Sequence, residues 1–314
     1  MRNTMLVCAV ALCLVSLSSR ADSWTPVAPL PEEKWELGAA VAADGRIYAI
    51  AGGSQFMPQV RTVFAYDTNN DTWTQVASLS AIRRHFGTAT GLDGRIYVFS
   101  GYAQGFPFFL NTVEAYDPVY NFWSYRADVP TPRQGQSAAT APDGRIYVMG
   151  GGTFGDPLPN VEVYDPSTNT WSRAADMPRP RTDFGEVTGL DGRIYVFGGY
   201  AEEGGGDGYS RSADVYDPAD GTWSPISDMN LIRYGVTGSL GSDGRIYAIG
   251  GSVGSGAPNS VEAYDPLTDS WSFIASMTTG RSTHGAALGP DGRIYAIGGQ
   301  DTYPVLTSVE AYNP

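Results

Sequence analysis

Asp143-Gly144-Arg145-Ile146-Tyr147-Val148-Met149-Gly150-Gly151 is the stretch whose reading decides how this chain folds. Its first five residues recur from Asp44, Asp93, Asp191, Asp243 and Asp291, so the 314 residues carry six copies at intervals of 48 to 52. Outward from it lie Val161-Glu162-Val163-Tyr164-Asp165-Pro166 and then Asn169-Thr170-Trp171. The tryptophan recurs at Trp24, Trp73, Trp123, Trp223 and Trp271, and a Tyr-Asp pair, Tyr-Asn in the last copy, recurs from Tyr66 to Tyr312. A period near fifty denotes one supersecondary unit stacked on its neighbours.

Each unit reads as four strands. In the third they are a small-residue strand near Gly135 to Thr140, RIYVMGG, VEVYDP and NTWSRA. Asp-Gly between β-prone runs predicts a type I′ hairpin, and Asp165-Pro166-Ser167-Thr168-Asn169 a second turn in which asparagine tolerates left-handed angles. Such a blade buries neither face alone and must stack. The chain ends after a third strand, Val309 to Pro314, while Ser23-Trp24-Thr25-Pro26-Val27 is a fourth strand with no blade before it. The expected fold is therefore all-β: a six-bladed β-propeller of four-stranded antiparallel blades, closed by the N-terminal strand completing the last blade. Closure of this kind removes a free sheet edge.

The 39 glycines, 21 prolines and 38 aromatics suit short strands and tight turns. Residues 1–21 read as a cleaved signal peptide, with Arg2, an apolar run from Met5 to Leu17 and small residues around Ser19 and Ala21. A mature propeller of residues 22–314, secreted or periplasmic, is expected. Both cysteines, Cys8 and Cys13, fall in the leader, so no disulfide supports the mature chain. The formal charge of −13, with nineteen dispersed arginines and Lys34 as the one lysine, argues against nucleic acid as a partner. No membrane span, cofactor or metal is expected in the mature chain, and a monomer is.

The double glycine, the variable loop, Tyr-Asp-Pro and the tryptophan six or seven residues beyond the tyrosine resemble kelch repeats from Ser23 onward. The departures are Ser100-Gly101 for Gly-Gly, Phe64 where most repeats have glutamate, and Asn313 for the last aspartate. The resemblance implies ligands on one end of the propeller, on the loops joining second to third strands and blade to blade. Kelch propellers include protein-recognition modules, a periplasmic sialic acid mutarotase and the related copper-radical galactose oxidase. That copper site needs a tyrosine crosslinked to cysteine and two histidine ligands; the mature chain has no cysteine and only His85 and His284.

Residues present in every blade are best explained by packing, and residues that break the repeat by function. The tryptophan column and the two tyrosine columns, from Tyr48 and Tyr66, should fill the space between blades. The column Glu114, Glu162, Asp214, Glu262 and Glu310 is expected to face the arginine of DGRIY across a strand pair. Ten residues before each DGR aspartate stands a cation: Lys34, Arg83, Arg133, Arg181, Arg233 or Arg281. This ring either satisfies loop carbonyls and acids or offers bidentate donors to a ligand carboxylate at the propeller mouth. Trp35, His85, Gln136, Asp183 and Tyr234 break the repeat near it, and Tyr102, Tyr200 and Tyr303 stand among the loop aromatics. Together with the ring these are the candidate ligand-binding residues; no catalytic residue is assigned. His284 reads as structural.

Besides a purely scaffolding role, in which mutating the ring would change nothing but stability, two functions from different classes follow. One is an exported binding module that recognises a protein or glycan at the mouth through loop arginines and aromatics. The other is a sugar-active enzyme resembling the sialic acid mutarotase, for which Glu36, His85, Asp183, Glu186 and Arg133 are the available acids and bases.

Overall fold

A computed structural model describes residues 22–55, 60–154, 156–201, 208–252, 254, 256–301 and 304–314. The expected leader, residues 1–21, lies outside them. Among the described residues no helix is long and apolar enough to cross a membrane. The chain forms a six-bladed propeller of four-stranded antiparallel sheets. Blade three, with strands Gln134–Thr140, Ile146–Gly152, Val161–Asp165 and Thr170–Arg173 in sequential order, represents the rest. Blade six combines Gly285–Leu288, Ile294–Ile297 and Val309–Tyr312 with the N-terminal strand Trp24–Val27. The registers Trp24↔Tyr312 and Val27↔Val309 close the ring as expected. The six first strands contact one another in a circle, Gly285–Leu288 of blade six lying against Gly38–Val41 of blade one.

The repeated aromatics hold blade to blade. The second-strand tyrosine of each blade meets the third-strand tyrosine of the next, as in Tyr97 and Tyr164 at 5.6 Å between ring centres, and the series closes on Tyr295 and Tyr66 at 5.5 Å. Each of the six column tryptophans donates through its indole to a carbonyl of the preceding blade, as Trp171 Nε1 does to Ala127 O at 2.9 Å. The asparagine of the outer turn adds a second tie. Asn169 Oδ1 accepts from Ala127 N–H and from the Tyr164 hydroxyl, both at 2.8 Å, and its φ of 55° is the left-handed angle expected there.

The Asp-Gly hairpins differ from the type I′ expectation. At Asp143-Gly144 only the glycine has positive φ, 84°; Gly144 N–H donates to Ala141 O and Ala141 N–H to Arg145 O, both at 3.0 Å. This is the pattern of a type I turn completed by a glycine bulge. The aspartate is committed to a local clasp instead: Asp143 Oδ1 accepts from Arg145 N–H at 2.9 Å and Oδ2 from Arg145 Nε at 2.7 Å. In most blades the tyrosine two residues after the arginine joins it, as Tyr48 does by donating to Asp44 Oδ2 at 2.7 Å.

That clasp also corrects the expected pairing of the glutamate column. The arginine of DGRIY is engaged by its own aspartate, and the glutamates meet the ring cations instead. Arg83 pairs with Glu114 at 2.7 Å, Arg133 with Glu162 at 2.9 Å, Arg181 with Asp214 at 2.8 Å, Arg233 with Glu262 at 3.1 Å and Arg281 with Glu310 at 2.8 Å. Blade one departs twice at this place. Phe64 replaces the acid, Lys34 replaces the arginine, and the ammonium sits 5.4 Å from the Phe64 ring while Glu32 supplies the carboxylate at 2.8 Å.

Candidate functional site

The mouth is built from the residue two positions after each ring cation: Glu36, His85, Gly135, Asp183, Gly235 and Thr283. All six have positive φ, between 48° and 64°, and each N–H donates to the carbonyl of its counterpart in the preceding blade. The bonds, from Glu36 to Thr283 and onward to Thr283 with Gly235, span 2.8 to 3.0 Å and complete a circle. Six peptides thus frame the axis, and the side chains they carry decide the chemistry. Glycine occupies two positions because there a Cβ would collide: at Gly135 it would lie 2.0 Å from Thr182 Oγ1.

This frame brings Glu36, His85 and Asp183 together from blades far apart in sequence. His85 Nε2 contacts Asp183 Oδ1, and His85 Nδ1 lies 3.8 Å from Glu36 Oε1. Arg84 Nη1 donates to Glu36 Oε2 at 2.8 Å, and its guanidinium lies over Trp35 at 4.7 Å and Tyr102 at 5.1 Å. Tyr234 hydrogen-bonds Asp183, whose charge raises the phenol pKa. Burial raises the Glu36 pKa against the pull of His85 and Arg84. Burial lowers that of His85, but Asp183 and Glu36 outweigh it and the net shift is upward. Glu36 and His85, 3.8 Å apart and both inclined to hold a proton, can exchange one with a ligand.

Below the frame the channel opens into a cavity of about 130 Å³, bordered by Glu36, His85, Gln136, Asp183, Glu186 and His284 among others. Gln136 is buried and donates through Nε2 to Phe99 O at 2.8 Å. His284 is buried, shares a hydrogen of 2.6 Å reach between Nε2 and Thr237 Oγ1, and is held neutral by desolvation and by Arg281. Glu186 stands on the first strand of blade four, and burial pushes its carboxyl up to about 8.

Of the candidate residues, Trp35, Tyr102, His85, Asp183 and Tyr234 therefore gather at the mouth and Gln136 beneath it. Tyr200 is exposed on the rim, in edge contact with Tyr209, which packs on Tyr234 at 5.4 Å. Tyr303 lies outside the described residues. The ring cations require a correction. Lys34, Arg83, Arg133, Arg181, Arg233 and Arg281 are all fully buried. Their donors are turned outward into the blades: Arg281, for instance, donates to Gly298 O, Ser308 O and Glu310. Desolvated guanidiniums of this kind find carbonyls and carboxylates locally, so none reaches the mouth. Arg133 likewise does not border the cavity, whereas Glu36 and Glu186 do. Thr88 and Thr283 also border it and were not singled out by sequence. Their place two or five residues after a ring cation is the signal that could have found them.

The sequence matches the KLHDC2/KLHL20/DRC7 Kelch-repeats domain over residues 11–179 and the Kelch motif over residues 184–230, 237–278 and 281–314. The chain belongs to the kelch-repeat family. No curated protein matches it. Among solved structures, this kelch-repeat propeller is similar to one titled "Structure of YjhT", at 17% identity and a TM-score of 0.78, over 92% of this chain and 97% of that one. At that identity the likeness is one of fold, and the kelch fold by itself accommodates both binding modules and enzymes.

Proposed function

We propose that this protein is an exported kelch-repeat binding module that takes a glycan at the propeller mouth. The observation that carries the reading is the Glu36–His85–Asp183 cluster on the hydrogen-bonded frame, flanked by Trp35, Tyr102 and Tyr234. Carboxylates accept from sugar hydroxyls, and aromatic faces cover the apolar faces of pyranose rings. The ring cations are buried and Arg84, the guanidinium at the mouth, is already paired with Glu36 at 2.8 Å, which leaves few donors for an acidic peptide. The test is a thermal-shift panel of sugars and peptides on residues 22–314, since a ligand of the native state raises the melt. A rise with a sugar, lost in Trp35→Ala and Asp183→Asn, is expected; a rise with peptides alone would move the reading to a protein partner.

A second reading rests on the raised pKa values of Glu36 and His85, which touch the same cavity. One group would take the proton of an anomeric hydroxyl while another protonates the ring oxygen, so that the ring opens and recloses on the other face, as in the sugar mutarotase of this family. Polarimetry of freshly dissolved sugars with wild type and His85→Gln would separate turnover from binding.

A further inference from the structure

The position five residues after each ring cation forms a second circle around the channel: Ala39, Thr88, Ala138, Glu186, Gly238 and Ala286. Five are small and one is a carboxylic acid. Glu186 borders the mouth cavity and two further cavities down the channel. Among the described residues no ion pair includes it; the Ser137 hydroxyl beside it, which donates to Phe184 O at 3.2 Å, holds its pKa down against burial. The other titratable groups facing the mouth cavity are Glu36, Asp183, His85 and His284, so carboxyls outnumber bases.

An independent feature marks the same cavity. Gln136 is 4% exposed and its Oε1 has no hydrogen-bond partner; His284 is 2% exposed and its Nδ1 has none. Thr88 Oγ1 and Thr283 Oγ1 are buried and unpartnered too. All four residues border the cavity. Buried polar atoms are ordinarily satisfied, so four at one place indicate a ligand that supplies hydrogen-bond donors. The amide and hydroxyl oxygens accept, and so does His284 Nδ1 when Nε2–H donates to Thr237. A divalent metal is poorly matched, because among the described residues no three histidine, cysteine, aspartate or glutamate side chains are arranged to hold a metal ion.

We propose that the channel beneath the mouth receives a primary ammonium group, which pairs with the Glu186 carboxylate and donates to Gln136 Oε1 and the threonine hydroxyls, and that the mouth ligand is accordingly an amino sugar. The sugar part rests on the glycan reading; the ammonium site does not. The cavity, about 130 Å³, accommodates an ammonium group with a few waters. Because Glu186 titrates at about 8 in the free protein, it is mostly protonated at neutral pH, and entry of a cation ionises it.

The experiment is calorimetry of residues 22–314 at pH 7 in buffers of different ionisation enthalpy, with methylammonium, glucosamine and N-acetylglucosamine as probes. Methylammonium binding should release close to one proton per site, and Glu186→Gln should abolish both the release and the binding. Glucosamine should bind at least about tenfold more tightly than N-acetylglucosamine, and Glu186→Gln should erase that preference. Equal binding of the two sugars without proton release would overturn the ammonium site and leave the glycan reading standing. Glu186-dependent proton release by methylammonium with neither sugar bound would support the site and overturn the glycan reading. No binding by any probe would overturn both.

Discussion

Arg133 illustrates how a side chain that looks functional in sequence becomes structural in three dimensions. Its guanidinium is fully buried, pairs with Glu162 at 2.9 Å and donates to Val148 O at 3.0 Å. Removing it leaves a buried carboxylate uncompensated, so Arg133→Ala should cost about 3–5 kcal/mol in denaturant unfolding while ligand affinity in the surviving native fraction stays unchanged. His85 is the converse case, a residue that breaks its column and does reach the mouth. Its raised pKa means that its contribution to stability is fully present below its ordinary value of 6.5 and is lost as pH rises through the folded value. Glu36, also raised, adds a fall at lower pH, from the ordinary carboxylate value up to its folded one. Melts of wild type should therefore decline from mildly acidic to mildly alkaline pH more steeply than those of His85→Gln; parallel curves would show that the imidazole is not linked to folding.

Blade-level ties follow the repeat closely enough that an exception predicts its own repair. The outer-turn residue at positive φ is Asp71, Asn121, Asn169 or Asp269 in four blades, and each accepts from the preceding blade and from its own tyrosine hydroxyl. Blade four has Gly221 there, with φ of 76° and space for a Cβ 3.8 Å from the Tyr216 hydroxyl. Gly221→Asn should therefore gain about 0.5–1 kcal/mol by restoring the hydrogen bonds and narrowing the unfolded ensemble. The reverse change, Asn169→Ala, should cost about 1–3 kcal/mol. Both are read from chemical melts at constant slope. The turns also mark a limit of local sequence rules. Asp-Gly signals a hairpin correctly, but which hairpin depends on the arginine that engages the aspartate two residues later.

For the whole molecule the controlling feature is closure. Trp24–Val27 pairs with Val309–Tyr312, Trp24 packs on Tyr312 at 5.2 Å between ring centres, and its indole donates to Ala275 O of blade five at 3.0 Å. Deleting Asp22 to Leu30 should lower the melting temperature by at least about 10 °C and expose the edge of the third strand to association with other chains. A melt unchanged by the deletion would mean that the ring does not depend on its closing strand. Closure also makes the site, since the circle of six peptides at the mouth joins Thr283 of blade six to Glu36 of blade one.

Period, strand count and the missing outer strand were legible in the sequence because each is a local pattern repeated six times, and repetition averages away the ambiguity of any single copy. The same rule found His85, Asp183 and Tyr234, which break their columns. It could not tell a cation aimed at the axis from one turned into its blade, because spacing sets the position of a residue along a strand and leaves the direction of a long side chain to its surroundings. Nor could it place Glu36, His85 and Asp183 in one cluster or leave Gln136 Oε1 and His284 Nδ1 facing a cavity with Glu186. Those arrangements arise when six separate blades meet around a common axis, and only the tertiary structure decides which residues share it.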